Sequence, residues 1–167
     1  MVAMRIEAAH GDITREAVDA IVNAANTSLA RGAGVCGAIF AAAGPDLDAA
    51  CAQAGNCATG DAKVTPGFAL PARWIVHAVG PVWHGGARGE ADALASAYRR
   101  SLEVAAAAGA RSIAFPAIST GIYGFPKDAA ARIAVSTLHA AGTPIELARL
   151  VAFDNETYDL YRELLGS

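Results

Sequence analysis

Two asparagines and a glycine-rich loop form the first stretch of the chain that could do chemistry. The apolar segment Ala20–Val22 leads into Asn23 and Asn26, and a loop of small residues, 32–38, then precedes an apolar helix. Small residues let backbone N–H groups approach an anion, and a helix N-terminus adds positive dipole character. The stretch therefore predicts a phosphate-binding corner with amide side chains beside it.

A second loop of the same kind follows the short apolar segment Ser112–Pro116. It carries Ser119, Gly121 and Gly124 and leads into another predicted helix. Neither loop continues into the Gly-Lys-Ser/Thr of a P-loop, and neither has the spaced glycines of a dinucleotide fingerprint. The common nucleotide folds are therefore disfavoured, whereas two loops that each open a helix favour a diphosphate ligand.

Length and charge exclude several classes of protein. The 167 residues are expected to form one domain over 1–167, and a net charge of −3 without a Lys/Arg run disfavours nucleic acid as a partner. No uninterrupted apolar run could cross a bilayer, and the first residues, Met1 and Val2 included, lack a signal-peptide core. We expect a cytoplasmic protein that has no membrane partner.

The three cysteines are Cys36, Cys51 and Cys57, and none belongs to a CxxC pair or to a histidine pattern. This spacing argues against a disulfide framework and against a structural zinc site, so reduced thiols, no metal and no cofactor are expected. Cys51 and Cys57 are expected to fill space in or beside a helix.

Strands alternate with helices along the chain. The expected strands are Met4–Ala9, Ala20–Ala24, Lys63–Phe68, Arg73–Val79, Ser112–Pro116 and Glu146–Phe153. The expected helices are 14–18, 37–43, 45–54, 90–108, 127–141 and 156–165, with Asp12 or Thr14 as the cap of the first. This α/β alternation predicts a three-layer α/β/α sandwich whose ligand lies beyond the carboxyl ends of the strands. The glycine-rich segment 84–89 is expected to be the most flexible loop.

Eight short motifs occur in an order that points to a known family. They are 11–14 (GDIT), 22–26 (VNAAN), 34–39 (GVCGAI), 42–44 (AAG), 59–61 (TGD), 70–73 (LPAR), 77–81 (HAVGP) and 119–124 (STGIYG). In these motifs the chain resembles the macrodomain family, in particular the bacterial branch similar to MacroD-type ADP-ribosyl hydrolases and O-acetyl-ADP-ribose deacetylases. The resemblance implies a central mixed sheet and ADP-ribose as the ligand.

The resemblance also implies a role for each site residue. Asp12 would accept a hydrogen bond from the adenine amino group beside the Ile13 backbone, or it could merely cap its turn; Phe153 would lie against adenine. The diphosphate would contact Gly34, Val35, Gly37 and Ala38 on one side and Ser119, Thr120, Gly121, Ile122 and Tyr123 on the other. Asn26 would bind the hydroxyls of the distal ribose, against which Tyr123 would also pack.

Three other polar residues are assigned from the residues themselves. Asn23 is expected to tie loops together, and His77, inside a strand, is expected to be a satisfied core residue. His84 remains an open candidate for the rim of the site.

Cys36 departs from the family's pattern. The family's hydrolase signature has aspartate at this position, where its carboxylate helps to orient the attacking water, whereas a thiol is mostly protonated near neutrality. Three alternatives follow: catalysis proceeds without a group at this position, a thiolate stabilised by the helix N-terminus acts as base or nucleophile, or activity is lost. Cys36 and Asn26 are thus the two candidate catalytic residues.

The motif set predicts a hydrolase. The expected substrates are ADP-ribosyl esters of acidic side chains in mono-ADP-ribosylated proteins, O-acetyl-ADP-ribose, or both. The alternative is a non-catalytic module that only binds ADP-ribose.

Overall fold

Six strands and five helices alternate in the computed structural model, which describes residues 3–166. The strands are β1 (Arg5–His10), β2 (Ala20–Ala24), β3 (Ala62–Pro66), β4 (Trp74–Ala78), β5 (Ser112–Phe115) and β6 (Leu147–Ala152). The helices are α1 (Gly34–Ala43), α2 (Asp46–Ala54), α3 (Glu90–Ala107), α4 (Lys127–Ala140) and α5 (Asn155–Leu165), with a 3₁₀ turn at Ile13–Arg15. Met1, Val2 and Ser167 lie outside the described residues. The predicted domain 1–167 includes all three, and the prediction about the N-terminus concerns Met1 and Val2.

The strands form one mixed sheet in the order β1-β6-β5-β2-β4-β3. Neighbouring strands are parallel, except that β3 runs antiparallel to β4 at one edge. The carboxyl ends of β1, β2, β5 and β6 therefore lie along the same edge of the sheet.

Alternate side chains of the strands face two different helical layers. On β2, Ala20 and Val22 belong to the core cluster that contains α3, α4 and α5, whereas Ile21 belongs to the cluster that contains α1 and α2. All three are fully buried, as expected for a central strand covered on both faces. The predicted three-layer α/β/α sandwich with a central mixed sheet is confirmed.

Helix α1 begins earlier than predicted. The expected start was Gly37, but the helix includes Gly34, whose φ of 61° lies in the left-handed region that glycine adopts readily. Cys36 consequently lies in the first turn of a helix rather than in a loop.

The predicted helix from Thr14 to Val18 is wrong beyond its first residues. The Asp12 side chain caps a single 3₁₀ turn by accepting a hydrogen bond from the Thr14 N–H, and the chain is already extended at Glu16 with ψ of 124°. The structure therefore has one capped 3₁₀ turn here in place of the predicted helix.

Within 3–166, no single helix combines the length and apolar character needed to cross a membrane, although α1 and α2 together, bent by 116°, match on length and composition alone.

A polar cluster is buried between the sheet and the layer of α1 and α2. Asn23 on β2 lies opposite His77 on β4, and its amide nitrogen is 3.0 Å from His77 Nδ1. His77 Nε2 is 2.9 Å from Thr65 Oγ1 and 3.7 Å from Cys51 Sγ. His77 is thus a satisfied core residue, as predicted, whereas Asn23 joins two strands and does not tie loops together.

Burial of His77 predicts a pH-dependent stability. Burial lowers the pKa of His77 from 6.5 to about 4. Between pH 6.5 and pH 4, His77 is therefore protonated in the unfolded chain but neutral in the folded protein. The contribution of His77 to the free energy of unfolding is therefore fully present above pH 6.5. It falls as the pH drops towards 4, by about 3 kcal/mol in all.

The His77→Gln variant tests this expectation. Glutamine keeps hydrogen-bonding groups but does not titrate, so its free energy of unfolding should lose much less between pH 6.5 and pH 4 than that of the wild type. Denaturant titrations at several pH values measure both. Parallel pH profiles for the two proteins would assign the acid sensitivity to other groups.

Candidate functional site

A cleft of about 820 Å³ lies at the carboxyl edge of the sheet. Its lining comes from the segments that follow five strands: β1, β2, β4 (through Gly80), β5 and β6. Both glycine-bearing loops are among them. The topology therefore brings together the two segments that the sequence singled out as phosphate-binding.

Nearly all residues predicted for the site line this cleft. They are Asp12, Ile13, Asn26, Gly34, Val35, Cys36, Ala38, Ser119, Thr120, Gly121, Ile122, Tyr123 and Phe153. Gly37 is the exception among them. Its N–H donates to the O of Ala33, the N-cap of α1 (3.4 Å), and an added Cβ would lie 2.7 Å from Gly32 O, so Gly37 packs closely against the preceding loop; its phosphate contact stays a prediction.

Asp12 occupies one end of the cleft and is both a cap and a lining residue. Its Oδ1 accepts hydrogen bonds from Thr14 Oγ1 (2.7 Å) and Thr14 N–H (2.9 Å). These two bonds lower the pKa of Asp12, so the carboxylate is charged at neutral pH. The side chain is still 52% exposed. Capping therefore leaves a carboxylate that can accept a hydrogen bond from a ligand.

Two large apolar side chains are exposed at the rim of the cleft. Phe153 is 90% exposed and Ile122 is 86% exposed, on the loops that follow the neighbouring strands β6 and β5. The carbonyl of Phe153 lies 3.2 Å from His10 Nε2, which fixes the backbone of this rim. Exposed apolar side chains beside a cleft are typical of a surface that covers a flat, apolar part of a ligand.

The loop after β5 is a closed turn that lines the cleft and carries a buried hydroxyl group. The Phe125 N–H donates to Ser119 O (2.9 Å), and the Gly124 N–H donates to Gly121 O (3.0 Å). Ser119 has a φ of 68°, which is unusual for a residue other than glycine. Its Oγ is buried and has no hydrogen-bond partner among residues 3–166. A strained residue with an unpartnered hydroxyl in a cleft points to a polar ligand group.

Asn26 shapes the loop at the other end of the cleft. Its Oδ1 accepts hydrogen bonds from Ser28 Oγ (2.8 Å), Ala30 N–H (3.1 Å) and Ser28 N–H (3.2 Å). Its Nδ2 donates one hydrogen to Ala30 O at 3.0 Å. Since an amide nitrogen carries two hydrogens, the second is left to donate to a ligand.

Cys36 meets Asn26 at the same carbonyl. The Cys36 Sγ is 3.9 Å from Ala30 O, and the residue is only 5% exposed. Gly32 fits against both side chains, because an added Cβ would be 3.4 Å from Cys36 Sγ and 3.9 Å from Asn26 Nδ2. The thiol is therefore a packed group of the first helical turn that also borders the cleft.

Three polar lining residues were missed by the sequence reasoning: Lys127, Asp154 and Thr157. The Lys127 Nζ is 3.2 Å from Asp154 Oδ2, and Asp154 Oδ1 caps α5 by accepting from the Thr157 N–H (2.7 Å). The Thr157 bond and the lysine lower the pKa of Asp154. The spacing of an aspartate three residues before a threonine at a helix start was the available signal.

The segment 84–89 does not behave as predicted. It lies outside the lining of the cleft, His84 included, and its backbone N–H groups are held by the buried carboxylate of Glu90. Glycine content suggested flexibility, but the hydrogen bonds fix the loop.

No metal centre is formed in the part of the chain that the structure describes. There, no three His, Cys, Asp or Glu side chains cluster as ligands would.

The chain belongs to the Macro domain family, because the model of that family matches residues 22–134. An O-acetyl-ADP-ribose deacetylase of Klebsiella pneumoniae is 55% identical over 172 residues, which cover 99% of this chain and 98% of that protein. A macro domain-containing protein of Chlorobaculum tepidum is 52% identical over 165 residues, which cover 97% and 96% respectively.

Solved macrodomains share the fold. The Oceanobacillus iheyensis macrodomain with ADP has a TM-score of 0.91 at 40% identity and covers 98% of this chain and 91% of that chain. The Trypanosoma brucei macrodomain in complex with ADP-ribose has a TM-score of 0.90 at 39% identity and covers 96% and 69% respectively.

Proposed function

We propose that the chain binds ADP-ribose in this cleft and hydrolyses esters at its distal ribose. The proposed substrates are O-acetyl-ADP-ribose and proteins that carry mono-ADP-ribose on Glu or Asp. The observation that carries the proposal is the order of the lining loops along the sheet edge: Asp12 follows β1, Ser119 follows β5, and Asn26 follows β2, so the loop with Ser119 lies between the other two. The relatives described as deacetylases support it.

Each part of the cleft suits one part of that ligand. The exposed Phe153 ring and the Asp12 carboxylate suit an adenine ring and its amino group. The N-terminus of α1 and the loop that carries Ser119 both line the cleft, and their backbone N–H groups suit the diphosphate. The free hydrogen of Asn26 Nδ2 suits a hydroxyl of the distal ribose.

The proposed reaction needs only water as a second reactant. Water adds to the ester carbonyl, the bond between the carbonyl carbon and the ribose oxygen breaks, and a proton passes to that oxygen. The products are ADP-ribose and acetate, or ADP-ribose and the free carboxylate of the protein. Asn26 holds the ribose, and a phosphate oxygen of the ligand orients the water.

The environment of Cys36 favours the first of the three alternatives for this residue. Its sulfur packs against Gly32 and faces Ala30 O, and it is 5% exposed. These contacts suit a space-filling group, and we therefore propose that catalysis proceeds without a thiolate. The second candidate function, a module that binds ADP-ribose without hydrolysis, is favoured by the missing carboxylate at this position.

Hydrolysis assays on two substrates separate these candidates. The purified chain should release acetate from O-acetyl-ADP-ribose and free ADP-ribose from a protein mono-ADP-ribosylated on glutamate, under multiple-turnover conditions. Tight ADP-ribose binding by calorimetry, together with no turnover of either substrate at high protein concentration, would leave only the binding module.

A further inference from the structure

The loop 84–89 is folded around one buried carboxylate that the proposed reaction does not use. Glu90, the first residue of α3, is 2% exposed. Its Oε2 accepts from the His84 N–H (2.8 Å) and the Gly86 N–H (3.1 Å), and its Oε1 accepts from the Arg88 N–H (2.7 Å). Three charge-assisted hydrogen bonds thus fix a loop that would otherwise have many conformations.

The same loop packs against the segment that lines the centre of the cleft. The Trp83 N–H donates to Tyr123 O at 2.8 Å, and the Trp83 and Phe125 rings are in contact, with centroids 4.7 Å apart. Gly86 lies directly against the Trp83 ring, because an added Cβ would be 2.8 Å from Trp83 Cη2. Glu90 therefore holds Gly86, Gly86 bounds the Trp83 ring, and Trp83 supports the loop 119–125.

A second contact joins the two segments at Gly80. A Cβ at Gly80 would lie 2.2 Å from Ser119 Oγ and 2.5 Å from Ile118 Cγ2, so the backbone of Gly80 packs directly against the Ser119 hydroxyl. Segment 80–89 consequently contacts both ends of the loop 119–125: Gly80 packs against Ser119, and Trp83 packs against Phe125.

We propose that Glu90 is a positioning residue for ligand binding: through segment 80–89 it fixes the loop 119–125, and thereby sets the affinity for the diphosphate of the ligand. The proposal rests on the proposed function for the identity of that ligand. Glu90 itself lies outside the cleft lining, so its effect passes through Trp83.

The charge state of Glu90 is consistent with a permanent role. Burial raises the pKa of Glu90, but the backbone hydrogen bonds from His84, Arg88 and Gly86 outweigh burial and lower the pKa to about 2. The carboxylate is therefore ionised throughout the pH range of any binding assay.

The test compares Glu90→Gln with a matched control at the opposite end of the sheet. In Asp19, Oδ2 accepts from the Arg111 N–H (2.7 Å) and the Ser112 N–H (3.2 Å), beside the amino ends of β2 and β5. Asp19→Asn thus weakens the same kind of carboxylate-to-backbone contact away from the cleft. Gly86→Ala is a second variant: Gly86 is exposed and has a φ of 94°, and an added Cβ would be 2.8 Å from the half-buried Trp83 ring, so this variant disturbs the segment while the Glu90 carboxylate is kept.

Two measurements give the expected results. Calorimetry should show that Glu90→Gln and Gly86→Ala bind ADP-ribose about tenfold more weakly than the wild type. The affinity for adenosine, which lacks the diphosphate and is measured by NMR titration, should change by less than about twofold. Native-state hydrogen exchange of the Gly124 and Phe125 amides should be about tenfold faster in both variants. Asp19→Asn should change neither the affinity nor the exchange of these two amides.

Two results would overturn the proposal. One is unchanged ADP-ribose affinity in folded Glu90→Gln and Gly86→Ala proteins. The other is unchanged exchange of the Gly124 and Phe125 amides, or equally faster exchange of the β5 amides, which would mark general destabilisation. The exchange measurement needs no ligand, so a wild-type chain that fails to bind ADP-ribose would refute the proposed function while the role of Glu90 is still tested.

Discussion

Replacing Asn26 with alanine is expected to lower kcat/KM for ester hydrolysis by about 100-fold. The variant loses the amide hydrogen proposed to hold the distal ribose, and it also loses the three hydrogen bonds to Oδ1 that fix the loop 26–30. Both losses misplace the ester relative to the attacking water, so kcat should fall more than KM rises. Steady-state acetate release from O-acetyl-ADP-ribose measures the effect.

Ser28→Ala is the matched control for this loss. It removes the hydrogen bond from Ser28 Oγ to Asn26 Oδ1 but keeps the amide and the two backbone donors. We expect kcat/KM to fall by less than about threefold, because one neutral hydrogen bond contributes modestly. Activity of Asn26→Ala within threefold of the wild type, with its melting temperature unchanged, would remove Asn26 from the catalytic machinery.

The sequence was sufficient for the parts of the fold that depend on local pattern. Strand β2 has the predicted bounds, Ala20–Ala24, and its apolar residues Ala20–Val22 are buried on both faces, as is typical of a central strand in an α/β sheet. The two glycine-bearing loops were identified from their composition. They meet in one cleft because parallel strands place their carboxyl ends along one edge of the sheet. Periodicity also located α3 and α4 to within one residue at their ends.

The sequence was insufficient where a side chain acts at a distance along the chain. Nothing local to Asn23 indicates that its amide meets His77, 54 positions away in the chain, on a neighbouring strand. Likewise, the glycines of 84–89 predict mobility, and only the fold shows that the Glu90 carboxylate accepts from the N–H groups of His84, Gly86 and Arg88. Hydrogen bonds between elements depend on packing, which residue types alone do not determine.

The start of α1 has the same lesson for the candidate site. Gly34, Val35 and Cys36 read as a loop by composition, but the helix begins at Gly34. Once Cys36 belongs to the first turn, its side chain packs inward against Gly32, and its chemistry is that of a buried residue. Helix starts without a polar cap, such as the one at Ala33, carry little sequence signal.

Replacing Cys36 with aspartate is expected to raise kcat/KM for ester hydrolysis by at least about tenfold, since a positioned general base typically contributes 10²–10⁴-fold. The position borders the cleft and lies in the first turn of α1, where the helix dipole stabilises a negative charge. The carboxylate would accept a proton from the attacking water, which a protonated thiol cannot do. The gain should disappear as the pH falls below the pKa of the new carboxylate, so acetate release is measured from pH 4 to pH 8.

Two further variants separate charge from shape at this position. Cys36→Asn has nearly the shape of aspartate but cannot act as a base, so it should show no gain; Cys36→Ala should keep activity within about threefold, because it removes only a packed thiol. If Cys36→Ala instead loses as much activity as Asn26→Ala, the thiol itself takes part in the reaction, and the mechanism without a thiolate is wrong. A third result is also informative: the wild type binds ADP-ribose without hydrolysing the ester, and Cys36→Asp hydrolyses it. The natural chain would then be a binding module that lacks catalysis because of this one side chain.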